Sequence, residues 1–433
     1  MATEPPRSSS STAAERAPAH VPGLRERIRA LPGMEVVLPL LERQPRTYLV
    51  GGAVRDLLRG AGSVDLDVAV EGDAPALARE LADSLNGQAI VHERFGTATV
   101  RAGAVSLDLA TTRREVYERP GALPAVERGP LADDLGRRDF SINAMAAGLR
   151  GDDLGRLHDP HGGRADLAAG LVRVLHRSSF LDDATRLLRA VRYAGRLRLA
   201  IEPETAALAA EASRGGALAT VSGARVRDEL LDLLREPSGL AALRRLPEIG
   251  LDDALLPWLD GPASRDLVLA KAAAAQQAAD AIGADRALSA LAALAASLPT
   301  GADAWLRWLA LPGRELERVA RAVAAAPLLA HELRDDLSPS SVHALLAPVP
   351  REALAFALAL GASQQTVGHY LAELSLVRLE ISGADLIDAG VPEGPAIGFA
   401  LEQTLRRKLD GEVAGAEAEL ERALELARSF GER

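Results

Sequence analysis

Between Thr47 and about Leu149, short β-rich runs alternate with glycine turns, and beyond about Ser178 no convincing strand remains. That change of texture confines any sheet to the early part of the 433-residue chain and leaves the rest to helices. The runs are Tyr48–Val50, Val64–Val70, Gln88–Val91, Ala98–Arg101 and Val105–Ala110, with one clear helix in "APALARELADSLNG". Ahead of them, residues 23 to 43 carry apolar positions at helical spacing, broken by "LPG" at 31 to 33. Later helices are punctuated by Pro and Gly, as in "DDLSPSSVHALL", where Ser338 can cap and Pro339 takes the first helical position. Ala and Leu dominate the second half and aromatics reach only 3%, so its helices are expected to pack closely through small side chains. The pattern predicts an α+β chain: a compact head with a small mixed sheet, then a long all-α body.

The formal charge is −10, from 50 basic and 60 acidic residues, so any nucleic-acid-binding surface has to be local. Cysteine is absent, which excludes disulfides and thiolate metal sites and fits a reducing compartment. No apolar run approaches a membrane span, and a cytoplasmic protein is expected. Residues 1–22 lack the apolar core of a signal peptide and read as a flexible tail; Glu4 and Glu15 count against a transit peptide.

In "YLVGGAVRDLLRG" (48–60), Gly51 and Gly52 sit where a strand turns into a helix. Without side chains there, a ligand can approach the backbone, and a helix N-terminus points N–H groups at an anion. Arg55, one turn in, is then within reach of a phosphate; tight geometry alone also accounts for the glycines. The next strand, "VDLDVAV" (64–70), sets Asp65 and Asp67 on one face with Val64, Leu66, Val68 and Val70 on the other. Two like charges side by side either form a solvated acidic face or flank a cation such as magnesium. Asp108 in "VSLDLATT" adds a third carboxylate if its strand neighbours the first, an arrangement suited to phosphoryl or nucleotidyl transfer.

GGAVRD followed by DLD resembles the polymerase-beta-like nucleotidyltransferases. "RRDFSINAMA" (137–146), "DPHGGRADL" (159–167), "FLDDATRLLRAVRYAGRL" (180–197) and "VSGARVRDEL" (221–230) follow in order. Together they resemble the bacterial-type tRNA nucleotidyltransferases (CCA-adding enzymes) and the related bacterial poly(A) polymerases, from about Thr47 to Leu234. A weaker likeness to the family's tail runs from Ile381 to Leu405. The resemblance implies a catalytic head (23–150), a helical neck (151–240) and an all-α body and tail (241–433) that binds tRNA. It implies Mg²⁺ on Asp65 and Asp67, with Asp108 as third carboxylate or base. Gly51, Gly52 and Arg55 would meet the incoming CTP or ATP. Arg137 and Arg138 would meet its triphosphate or ribose, with Asp139 and Asn143 ordering that block.

Asp183 and Arg186 are three apart, hence neighbours if both lie on one helix. A carboxylate accepts and a guanidinium donates, so the pair can meet the amine and ring nitrogen that cytosine and adenine share. Guanine and uracil would present a carbonyl to the carboxylate instead. The family carries this pair in a Glu-Asp-x-x-Arg block; here the first position is Asp182. Arg189 and Arg192 continue the stripe at a spacing suited to phosphates. The segment 115–136 reads as a long loop. In the family such a loop goes with addition of the terminal adenosine and is cut short in CC-adding enzymes, which argues against a CC-only activity. Candidate RNA contacts are Arg196, Arg198, Arg225, Arg227, Arg244, Arg245, Arg406 and Arg407. An A-adding half-enzyme, a poly(A) polymerase and an inactive RNA-binding protein on the same scaffold are the rival readings.

Overall fold

The computed structural model describes residues 18–42, 44, 46–61, 65–103, 105–116, 121, 125–256, 258–259, 261–298 and 302–430. Most of the expected tail, Val64 and residues 117–120 and 122–124 of the expected loop lie outside the described residues. The chain packs as two compact units. One is Met1–Ser222 with Ala241–Leu256; the other is Gly223–Leu240 with Pro257–Arg433.

The strands of the first unit as far as residue 158 are β1 (Ala19–His20), β2 (Thr47–Val50), β3 (Leu66–Val70), β4 (Gln88–His92), β5 (Thr97–Ala102) and β6 (Val105–Thr111), then β7 (Arg113–Val116), β8 (Ala125–Arg128), β9 (Ala146–Gly148) and β10 (Arg156–His158). All but β7 and β8 join one mixed sheet in the order β1-β10-β9-β2-β3-β6-β5-β4. Every neighbouring pair is antiparallel except β3 with β6, which run parallel. Its helices are α1 (Leu24–Arg29), α2 (Met34–Leu41), α3 (Gly52–Leu58), α4 (Ala74–Ser84), α5 (Leu131–Gly136), α6 (Gly163–Ala169), α7 (Ser179–Asp182) and α8 (Thr185–Leu197), followed by Pro203–Arg214. Helix α4 starts where the Asp73 side chain accepts from Ala76 N at 3.0 Å, with Pro75 in the first turn.

Strand alternation decides which face is core. Leu66, Val68 and Val70 of β3 and Leu107 and Leu109 of β6 are buried, in one cluster with Val54, Leu57, Leu77 and Leu81. Each such side chain contributes about 1.5–3 kcal/mol on burial. On the opposite face Tyr48, Val50, Ala69 and Ala146 pack against Leu131 and Leu135 of α5. Asp67 and Asp108 belong to this second face but remain exposed. The open end of one sheet face is therefore where chemistry can happen.

The second unit is helical throughout its described residues, as composition implied. Helix Gly261–Ile282 packs on Arg286–Ala295 and Arg351–Ala359, and Gly313–Glu332 packs on both of the latter. Buried Ala272, Ala275, Ala279, Ala290 and Ala355 permit that close approach. Ile381, Leu386, Ala400, Ala423 and Ala427 form a separate small cluster towards the end of the chain. Among the described residues no single helix is long and apolar enough to cross a membrane.

Two expectations change. The stretch 115–136, read as one loop, holds the end of β7, all of β8 and α5. The hairpin carries charges instead of an apolar face: β8 is exposed throughout, and Arg114 pairs with Glu127 at 2.6 Å. No alternation of burial marked it. Beyond Ser178, where no strand was expected, Ala200–Ile201 pairs in parallel with Leu171–Val172, a ladder too short to leave a pattern.

Candidate active site

Strand pairing places the acids. Asp67 and Asp108 are direct partners across the parallel β3–β6 pair, so their side chains stand together on the open face. From β5, Thr99 is the antiparallel partner of Asp108 and donates its hydroxyl to Oδ1 at 2.5 Å. Asp67 is held above the usual carboxylate range, first by the protein packed around it and then by Asp108, with a further contribution from Asp65; Arg138 opposes them. Asp65 is exposed one residue before β3, where its carbonyl accepts from Asp67 N at 3.1 Å. Asp65 is nonetheless near enough to contribute to the raised Asp67. The expected three-acid cluster is thus a pair with Asp65 at its rim, and among the described residues no three acids or imidazoles gather closely enough to hold a metal ion. Two carboxylates still fit magnesium, which commonly takes one or two from the protein and completes its shell with phosphate and water.

The glycine turn abuts Arg138, which lines the same opening. Gly51 has φ +65°, and a Cβ built there would lie 2.6 Å from Nη1 of Arg138. Only glycine lets that guanidinium pass so close. Arg138 donates to Asp134 at 3.1 Å, while Arg137 gives two N–H groups to Asp134 at 2.9 and 2.7 Å and one to Glu115 at 3.1 Å. Burial would raise Asp134, but Arg138 and Arg137 outweigh it and hold the carboxyl below its ordinary value. Asp67, Asp108, Thr99, His92, Arg137 and Arg138 line the resulting cleft, about 340 Å³ in volume.

Arg55 does not face this cleft as an available cation. It is 2% exposed. It donates to Asn143 Oδ1 at 2.6 Å and to both Asp56 oxygens at 2.9 and 2.8 Å, and lies 5.4 Å from the Tyr193 ring centre. Asp139 accepts from Phe140 N at 2.8 Å, Asn143 Nδ2 at 3.0 Å and two Arg189 nitrogens at 2.9 and 2.7 Å. Burial would raise Asp139 too, yet Arg189 and these hydrogen bonds hold it low. Arg189, expected to offer itself to phosphate, is thus bound to a buried acid, and Arg192 lies 5.1 Å over Tyr193. The RRDFSIN block, α3 and α8 are braced together by this network.

Asp183 and Arg186 do not share a helix face. The chain breaks between α7 and α8, and Asp183 is extended there (φ −143°, ψ 100°). Its Oδ1 accepts from Thr185 N at 3.0 Å and Thr185 Oγ1 at 2.7 Å, so it caps the start of α8. Arg186, 5% exposed, donates to Ser179 Oγ and to the Arg137 carbonyl, both at 2.7 Å. Arg186 also borders a second cavity of about 420 Å³ with Arg137, Glu115, Asp182, His161 and His176. His161 lies within the DPHGGRADL block, but neither histidine was singled out from sequence. Among the candidate RNA contacts, Arg245, Arg406 and Arg407 pair with Glu248, Glu402 and Glu412 at 3.0, 2.8 and 2.6 Å.

Residues 47–173 match the family described as "Poly A polymerase head domain", and 198–261 match "Probable RNA and SrmB- binding site of polymerase A". An A-adding tRNA nucleotidyltransferase of Geobacter sulfurreducens is 33% identical over 420 residues, 92% of this chain and 46% of that protein. A CCA-adding enzyme solved with ATP is 30% identical with a TM-score of 0.73, covering 96% of this chain and 98% of that one. The Thermotoga maritima CCA-adding enzyme complexed with tRNA_CCA is 30% identical with a TM-score of 0.69, covering 95% and 99%. This chain belongs to the tRNA nucleotidyltransferase and poly(A) polymerase family. It spans half or less of the length of the curated relatives it matches first.

Within this nucleotidyltransferase head, Asp134, Thr99 and Tyr193 were not singled out from sequence. Asp134 and Thr99 sit beside the expected residues and hold them. Only the strand register and the α5 placement reveal that, since a lone Thr or Asp carries no spacing signal.

Proposed function

We propose that this chain extends the 3′ end of a tRNA without a template, adding C and A. The RNA 3′-hydroxyl attacks the α-phosphate of CTP or ATP, a new phosphodiester forms, and pyrophosphate leaves. Asp65 and Asp67 would hold Mg²⁺, which when bound supplies positive charge beside the attacking and leaving oxygens. Asp108, fixed by Thr99, serves as third carboxylate or as base for the hydroxyl proton. Arg137 and Arg138 receive the triphosphate next to the Gly51–Gly52 backbone. Arg186 and Asp183 select the base, and the helical neck, body and tail grip the RNA by shape and phosphate contacts. The observation that carries this reading is the Asp67–Asp108 pair facing Arg138 across one cleft.

A second reading is an A-adding enzyme that works on tRNA already ending in CC. It is favoured by the Geobacter A-adding relative, which aligns along nearly the whole chain. Purified protein, one transcript ending before CCA and one ending in CC, and CTP and ATP singly and together separate the cases. Addition of CCA followed by a stop supports the first reading. Extension of the CC-ended transcript alone supports the second. A long A tract would indicate a poly(A) polymerase, and no product an inactive RNA-binding protein.

A further inference from the structure

The cavity beside Arg186 is lined by three acids, Glu115, Asp133 and Asp182, and by two imidazoles, to which the reaction above gives no role. We propose that His161 and His176 are base contacts, forming with Asp182 and Arg186 the walls that hold the nucleobase of the incoming nucleotide. This rests on the nucleotidyltransferase reading. Three observations carry it. Arg137 lines both this cavity and the carboxylate cleft, so a triphosphate in the cleft can extend its base into the cavity. The volume, about 420 Å³, falls in the roughly 300–1,000 Å³ range of small-molecule sites. Among the described residues that line it, the two imidazoles are the only aromatic rings.

A nucleobase is held by a flat face against its π system and by polar groups at its edge. The charged groups along these walls are Arg114, Glu115, Asp133, Arg137, Asp182 and Arg186, and Arg186 is the one already proposed to meet the base edge. His176 is fixed for the flat role: its Nδ1 lies 3.1 Å from Ser178 Oγ and 3.8 Å from Asp182 Oδ2, which leaves Nε2 and the ring faces uncommitted to those partners. Burial first, then His176, pushes His161 below its ordinary value against the pull of Asp159. Burial and Arg186 likewise lower His176 against Asp182. Both rings are therefore uncharged near neutrality, and neither opposes Arg186.

The test is calorimetric titration of the full chain with ATP, CTP and inorganic tripolyphosphate. His161→Ala and His176→Ala are each expected to raise the Kd for both nucleotides roughly tenfold. Tripolyphosphate, lacking a base, should bind them as it binds wild type. His161→Phe and His176→Phe keep a ring and should stay within about threefold of wild type for nucleotides. Melting curves establish that each variant folds. Nucleotide affinities unchanged in the Ala variants would overturn the proposal. So would a parallel loss for nucleotides and tripolyphosphate, or Phe variants as weak as Ala. A wild-type protein that binds tripolyphosphate and neither nucleotide overturns the base cavity alone; one that binds none of the three overturns the nucleotidyltransferase reading as well.

Discussion

Two groups of acids lie close together in the head and behave oppositely. Asp67 and Asp108 stand side by side as strand partners, and Asp67 is held above its ordinary range. Asp134 and Asp139 are more deeply buried, yet arginines hold both below it. Burial alone would have raised Asp67, Asp134 and Asp139 alike. What separates the groups is who supplies the opposite charge. Arg137, Arg138 and Arg189 form close ion pairs with Asp134 and Asp139, whereas Asp67 has only the weaker pull of Arg138 against burial and Asp108. Acids paired with arginine brace the scaffold; on the function proposed above, the acid held in repulsion is the one prepared for a ligand.

The sharpest way to break this comparison is Asp67→Asn. Nucleotide addition in a primer-extension assay should fall at least about a thousandfold, because several kcal/mol of charge stabilisation disappear. The melting temperature should hold or rise, since a repulsion is removed. Normal turnover would refute the assignment of Asp67. Next in size, Asp139→Ala leaves Arg189 and Asn143 without their acceptor and should cost about 3–5 kcal/mol in urea unfolding. A loss comparable to that of a surface substitution would show that the inner acids are not structural.

Asp183→Ala should cost about 1 kcal/mol through the lost cap of α8 and relax the choice of C and A over G and U. Asp183→Ser separates these effects, because serine still caps but carries no carboxylate. If Ser restores selectivity in a four-nucleotide competition, Asp183 acts through helix position and does not read the base.

The smallest effect is in pH dependence. Asp134 and Asp139 have folded-state values below their unfolded ones, so their stabilisation is present above the usual carboxylate range and is lost as pH falls through it. Asp67 has a raised folded-state value, so its sign is reversed: its ionisation disfavours the fold at neutral pH, and protonation relieves this. Any gain in melting temperature from Asp67→Asn should therefore shrink as pH falls through the raised folded-state value, and should be gone below the unfolded value of about 4. A gain that persists in acid would locate the effect elsewhere than in charge.

Much of this was legible in the chain. The two-residue period of VDLDVAV placed Asp67 on the polar face, and the same alternation in VSLDLATT did so for Asp108, because apolar partners one residue away dictated orientation. Asp183 departs from the helix face expected for it, and Asp65 falls just outside β3, for a shared reason. Each sits one or two residues outside a regular element, where a local backbone or side-chain hydrogen bond forms instead of the element's own. Arg55 and Arg189 read as available cations because sequence shows their charge but not Asp56, Asn143 and Asp139 folded against them. His161 and His176, fifteen positions apart in the chain, meet only through the packing around α6 and α7.

The hydrogen bond from Arg186 to the Arg137 carbonyl joins positions 49 apart in sequence. It fastens the side chain at one cavity to the main chain that aims a guanidinium into the other. If Arg186 and Arg137 act as proposed, a mismatched base that drags Arg186 out of place would tug on that main chain and spoil the aim at the triphosphate. Errors would then be punished in turnover more than in affinity, a form of fidelity that needs no separate editing step.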